Sequence, residues 1–413
     1  MKIPIWNSLT AWMRNNRKVV WLSVFVSLAI TIFSYEVANS AYPMAGEYAA
    51  LKQINDTKAF WGQKMGNMPD SMLFINVCYD KQLVEYEENG MPVGNIVITD
   101  RDKLLQLLTL AKEANNYRYI FLDVLFDEGI VSPADSALFQ TISSMDRIII
   151  PEHKGIKLID STLYAKAGCA DYSVTWKHLT FAHYQFLRDI GPSVALKMYA
   201  DRKHLSDNGI KPHWGGLWYT DNGQLCHNGA TLFMDIRING SLIDEESQER
   251  ERNYIYLGAD LLDLDSIMPV KEQIDDKILV IGDFKNDVHV TYLGAQPGTV
   301  ICMNAFLTLM EGKHLVNWWY TLTLFLIYTM VGTFYLRGSS FQTLFANPWL
   351  GVLMSFLSTA TLFLVVAIVA HWNGIAFNMW VPTTIYSLID TYIQKRNLFI
   401  KKKNEQNHST AVS

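Results

Sequence analysis

Four apolar runs constrain this chain more than any other feature. A helical crossing of a bilayer core needs about 20 predominantly apolar residues, and residues 19–35, 316–336, 349–370 and, more weakly, 375–393 supply runs of that order. Lipid offers backbone groups no hydrogen-bond partners, so such runs close their bonds internally as helices. Residues 36–315, between the first and second runs, have the mixed pattern of a water-soluble domain large enough to bury its own core. The first run has no clean small-residue cleavage site after it, which favours an uncleaved signal anchor over a signal peptide.

Charge placement orients the runs. Outside residues 36–315 the basic residues are Lys2, Arg14, Arg17, Lys18, Arg337, Lys395, Arg396, Lys401, Lys402 and Lys403. They fall before the first run, between the second and third, or after the fourth, and none lies between His371 and Gly374. By the positive-inside rule this places segments 1–18 and 394–413 in the cytoplasm and 36–315 outside. Trp318, Trp319, Trp372 and Trp380 then mark the outer interface. The outer region holds 25 Lys and Arg against 38 Asp and Glu; this acidic balance argues against nucleic acid or an anionic membrane surface as partner. All four cysteines, Cys78, Cys169, Cys226 and Cys302, lie there too. Cys78 and Cys302 sit among apolar neighbours and read as buried thiols; Cys169 with Cys226 is the disulfide pair to test.

Within 36–315 the periodicities alternate. Ser71–Tyr79, Tyr117–Phe126 and Arg147–Ile150 read as strands, and Ile278–Ile281 as a buried strand ended by Gly282-Asp283. Between them, Arg101–Ala114 after the N-cap candidate Asp100, and a segment from Ser132-Pro133 to Ile142, read as helices. This alternation predicts an α/β domain with a mostly parallel or mixed sheet flanked by helices, joined to four transmembrane helices. Further on, Leu179–Tyr199 reads as a long helix, Ala230–Asn239 as a strand, and Asp244–Arg252 as a solvated charge run. Val288–Tyr292 reads as a strand and Thr299–Gly312 as a helix that feeds almost directly into the second apolar run.

Four stretches, in order, resemble the type-two CHASE family of bacterial extracellular sensory domains. They are FINVCYDKQLV (74–84), ITDRDKLLQLLTLAKEANNYRYIFLDVLFDE (98–128), SPADSALFQTI (132–142) and ILVIGDFKNDVHVTYLGAQPGTVICMNAFLTLMEGKHL (278–315). The last is similar to the family's closing G-x-x-x-x-x-x-D-x-x-x-T-P-L-G…P-G-V-x-I-H-A-N-A-L segment. One membrane helix before the domain and three after it also fit. The resemblance implies a sensory domain that usually sits above a cytoplasmic kinase, cyclase or phosphatase. Two positions depart from the pattern: Cys302 stands where the family tends to have His, and Tyr292 where Pro follows Thr. After the fourth run only about twenty residues remain in this sequence, too few to bury a core, so the expected output lies in a separate protein.

For a ligand site, parallel sheets point to the carboxyl ends of their strands. Asp80, Asp123 and Asp283 lie there, with Asp287 and His289 close behind the last. Together they suit a cationic ligand or a hard metal; the plainer alternative is turn caps paired with Arg101, Arg118 or Lys285. Pro297-Gly298 reads as a tight helix start, with an anion at the free N–H groups as the alternative. Trp214, Trp218 and Tyr219 form a candidate aromatic platform for a partner, or else seal a minor core. Asp390, near the inner end of the fourth run, is expected to meet Lys395 or reach the interface, with a buried proton-relay role as the less favoured alternative. No zinc, P-loop or hydrolase motif is present, and no cofactor is implied. The expectation is a non-enzymatic bacterial inner-membrane protein that senses a small or envelope ligand and relays it to a protein partner. The alternative is a scaffold subunit of an envelope complex.

Overall fold

The structure is a computed structural model, describing residues 16–38, 47–60, 71–88, 91–171, 183–188, 190–205, 209–215, 218–226, 231–233, 236–238, 254–257, 269–338, 347–372, 375 and 377–412. The chain divides into two compact units, residues 41–315 and residues 1–40 with 316–413.

The larger unit is built on strands β1 (Met72–Asn76), β2 (Lys81–Glu88), β3 (Met91–Thr99), β4 (Tyr119–Asp123), β5 (Ile148–Glu152), β6 (Ala167–Cys169), β7 (Tyr254–Tyr256), β8 (Ile278–Gly282), β9 (Val288–Thr291) and β10 (Gly294–Pro297). Six of these form one sheet in the order β7-β1-β8-β4-β5-β6, every pair parallel. The strands are near-continuous apolar runs because helices cover both faces of a parallel sheet. Helices α1 (Arg101–Ala114) and α2 (Asp135–Ser144) cover one face. Leu104, Leu107, Leu108, Leu138 and Ile142 pack there with Leu73, Ile75, Ile120, Leu122, Leu279 and Ile281 in one buried cluster. The alternate residues Phe74, Phe121, Ile149 and Val280, also buried, point the other way. On that side lie α3 (Val194–Arg202) and α4 (Gly298–Met310). The Gly168 position shows how close this packing is: an added Cβ would lie 2.9 Å from Val194 Cα and 3.0 Å from Ile149 Cδ1.

Several features differ from the sequence reading. No helix spans 179–199: residues 172–182 lie outside the described set, short strands His183–Gln185, Leu187–Arg188 and Gly191–Pro192 follow, and α3 begins only at Val194. Pro192 disfavours helix at the residue before it, and Ser193, accepting from Leu196 N–H at 3.2 Å, caps a new start. The second is the β2/β3 hairpin, which the sequence reading did not assign. Only Thr231–Phe233 of the expected strand 230–239 is strand among the described residues, and 244–252 lie outside them. All four cysteines are buried free thiols. Cys169 ends β6, whereas Cys226 ends the separate strand Gln224–Cys226, so the proposed pair is not formed.

The smaller unit holds helices Arg17–Ala38, Trp318–Leu336, Pro348–Trp372 and Trp380–Val412. Among the described residues three segments, Arg17–Tyr35, Trp318–Leu336 and Trp349–Trp372, are long and apolar enough to cross a membrane. The fourth apolar run is absorbed into a 33-residue helix that continues through the basic tail. Tyr328, Phe363 and Tyr386 form its aromatic centre. Asp390 does not reach outward: it is fully buried and accepts hydrogen bonds from Ser355 Oγ and Gln394 Nε2. Small Ser355 on the facing helix leaves the carboxylate room to be satisfied inside the bundle.

Candidate functional site

Parallel pairing sets the carboxyl ends of β1, β8 and β4 level, with Asn76 opposite Gly282 and Gly282 opposite Asp123. The last strand to join this sheet, β8, is thus inserted between two that precede it in the chain, and segments distant in sequence meet. Asn76 ties the ends together, its Oδ1 accepting from Cys78 N–H at 3.0 Å and Phe284 N–H at 3.3 Å. Above these ends opens a cleft of about 530 Å³, within the range of small-molecule sites. Its walls come from β3 (Ile96 to Thr99), the segment after β4 (Val124, Leu125, Asp127, Ile130), the start of α4 (Gly298, Ile301, Cys302), Arg101, His153 and Tyr184.

Of the five candidate ligand residues, the cleft gathers Asp123, Asp283, Asp287 and His289. Asp80 is not among its walls; it is buried and accepts from Lys103 Nζ at 2.5 Å. Asp283 is in part the turn cap that the plainer alternative described, accepting the N–H groups of Lys285 and Asn286 at 3.2 and 2.9 Å. Its cation is neither Arg118, which pairs with Asp276, nor Lys285, but Lys81 at 2.9 Å. Burial pushes the Asp283 carboxyl up, and the Asn286 and Lys81 hydrogen bonds outweigh it, leaving the group below its ordinary value. Asp287 sits 3.0 Å from His289 Nε2, and its carbonyl accepts from Gly298 N–H at 2.9 Å. A Cβ on Gly298 would stand 2.5 Å from Asp287 Oδ2, so glycine is what lets this carboxylate lie against the first residue of α4. The positive end of the helix dipole favours it there. An anion at that helix start would compete with Asp287, which sets aside the alternative reading of Pro297-Gly298.

Asp123 ends β4, half-buried at the cleft floor. Burial pushes its carboxyl up to about 6, opposed by the bond that Thr299 Oγ1 donates at 2.6 Å and reinforced by nearby Asp287. Gly282 makes that bond possible, since a Cβ there would come within 2.5 Å of Thr299 Oγ1. Cys302 Sγ lies 3.9 Å from Tyr184 Oη, and burial and Asp123 push its thiol well above the ordinary range. Burial also raises Asp127. Among the described residues no group of three or more His, Cys, Asp or Glu side chains is placed to hold a metal ion.

Sequence reasoning passed over Arg101, Asp127 and His153 as cleft residues, and Thr299 as the partner of Asp123. One signal was available: Arg101 puts a cation in the first turn of a helix, where the dipole disfavours it. The aromatic residues form a different surface. Trp214 and Trp218 have ring centroids 5.2 Å apart, Trp218 also stacks on His213, and Trp214 is 79% exposed. Tyr219 is half-buried, and none of the three lines the cleft. Comparison with protein-family models, curated proteins and solved structures finds no match to this chain.

Proposed function

We propose that this chain is a bacterial inner-membrane sensory protein of type-two CHASE character, whose α/β domain lies outside the cytoplasm and binds a small ligand in the cleft. The binding event is relayed to a separate protein partner, and the chain itself carries out no catalysis. The observation that carries this reading is the cleft, in which charged side chains from distant segments converge at the carboxyl ends of parallel strands. Helix α4 supports the relay: its first turn lines the cleft, and only residues 311–317 follow before the helix Trp318–Leu336. A ligand that binds one arrangement of α4 more tightly than another shifts the population between them. In this reading the helix Trp380–Val412 makes the fourth crossing with its apolar first half, and the basic residues hold both termini in the cytoplasm.

A scaffold reading is favoured by one observation. The β2/β3 hairpin exposes Leu83, Met91, Val93 and Val97, each at least 60% accessible, a surface of the kind that marks protein contacts. Melting of the detergent-solubilised full chain, with and without the dialysable small molecules of its growth medium, separates the two. The sensor predicts a higher melting temperature that Val97→Trp, a bulkier side chain on the cleft wall, removes. An unchanged melting temperature together with a stoichiometric, ligand-independent assembly in pull-downs would sink the sensor and leave the scaffold.

A further inference from the structure

The charges in the cleft do not balance one another evenly, and the remainder specifies a ligand. Lys81 cancels Asp283, and Asp287 is held by His289 and the start of α4. Three groups are left over. Arg101 is 2% exposed, yet its guanidinium makes a single hydrogen bond, Nη2 to the Leu125 carbonyl at 2.7 Å. Buried Asp135, with Oδ1 3.7 Å from Nε, offsets part of the guanidinium charge as an ion pair, but among the described residues neither Nε nor Nη1 has a hydrogen-bond partner. The ring of Phe126, 4.3 Å away, covers one face. A buried cation with unmet donors at the positive end of a helix is poorly explained as a stabilising element. Asp127, which also lines the cleft, makes no side-chain hydrogen bond or ion pair among the described residues, and Asp123 keeps one oxygen beyond its bond to Thr299.

A simple anion would satisfy Arg101 but face Asp123 and Asp127; a simple cation would leave Arg101 unmet. Resting on the reading of the cleft as a ligand site, we infer that its ligand is a small zwitterion of the α-amino-acid type, with the carboxylate directed to Arg101 and the ammonium to Asp123 and Asp127. Ile96, Val97 and Ile301 give the rest of the molecule an apolar wall, so an apolar side chain is favoured over a charged one. The site takes both charges at once, and discrimination comes from leaving a buried partner unmet when either is missing.

The experiment is calorimetry and thermal melting of the full chain in detergent with the standard α-amino acids, one at a time. Each amino acid that binds is then compared with its N-acetyl derivative, which lacks the ammonium, and its amino alcohol, which lacks the carboxylate. At least one amino acid should raise the melting temperature by several degrees, and both derivatives should bind roughly tenfold more weakly or worse. Asp127→Asn should weaken binding by a similar factor. Arg101→Met should abolish it; because the change also strips buried Asp135 of its cation, the melting of the ligand-free variant is recorded beside it to show that it folds. If Arg101→Met fails to fold, the derivative series and Asp127→Asn still decide. Binding by no amino acid, derivatives as tight as the parent, or variants that bind like wild type would overturn the inference. A medium component without a zwitterion that binds and is lost in Val97→Trp overturns the inference alone and leaves the sensor standing.

Discussion

Asp123 gives the domain a pH dependence whose sign is fixed by its burial. Burial pushes its carboxyl up to about 6 in the fold, above the 3.8 of an unperturbed group. Between those values the folded state holds more protons than the unfolded one, so stability falls as pH rises from about 4 to about 6 and is level above. At about 1.4 kcal/mol per unit, the loss reaches about 3 kcal/mol. Asp123→Asn keeps an oxygen for Thr299 and removes the charge. It should therefore stabilise the ligand-free protein by about 1–3 kcal/mol at pH 7 and be nearly neutral at pH 4. Melting or denaturant curves at the two pH values check this, and an equal gain at both would contradict it. Asp221 shows the opposite balance. Its carboxylate accepts from Tyr199 Oη at 2.6 Å and lies 2.8 Å from His314 Nε2. Although burial pushes it up, these bonds hold it below its ordinary value. That contribution to stability is present above the unfolded pKa and is lost as pH falls through the folded one.

At the scale of elements, two glycines decide how closely the pieces approach. Gly282 lets Thr299 of α4 reach across to Asp123, as the close approach at its missing Cβ shows. Gly332 does the same for two helices of the smaller unit. A Cβ there would lie 2.6 Å from Ser23 Oγ, whose hydroxyl donates to the Thr329 carbonyl at 2.8 Å, and 3.4 Å from Tyr386 Cε1. Small residues at such crossings let helix backbones pack where lipid provides no hydrophobic driving force. Gly332→Leu should push the helix Arg17–Ala38 away and cost about 1–3 kcal/mol. A lowered melting temperature of the full chain is the expected observation; an unchanged one would mean the two helices do not meet at this residue. Helix α1 was legible to the residue, because its Leu spacing and its cap, Asp100 accepting from Asp102 and Lys103 N–H, are local. The β2/β3 hairpin was not. Its flanks alternate weakly, most of β3 is exposed, and the Asn89-Gly90 turn signal between them was the available clue.

For the whole molecule, the prediction concerns sidedness. Cys169, Cys226 and Cys302 are buried, with thiols pushed up by burial, to about 11 and about 12 for the first two, and Cys78 is buried too. The native chain should therefore react slowly with a membrane-impermeant maleimide. Val97→Cys should label on intact spheroplasts, and Lys402→Cys only after permeabilisation. The reverse pattern would place the α/β domain in the cytoplasm and end the sensory reading. The aromatic pair Trp214 and Trp218 stays exposed beside His213, and neither residue is among the cleft walls.

Local patterns were enough for the sequence to specify the apolar helices, the parallel strands and the acidic residues at their carboxyl ends, because each depends on spacing along a few neighbouring residues. It could not say which of those acids would share a cleft. Asp80 and Asp123 look alike in sequence, yet Lys103 on α1 takes the first and the insertion of β8 between β1 and β4 gives the second to the site. Nor could it show that Arg101 would be buried with donors unmet, since that follows from what Phe126, Leu125 and Asp135 bring around it. Charge balance in a low-dielectric pocket is a sum over residues far apart in the chain, and only the tertiary structure sets the terms of that sum.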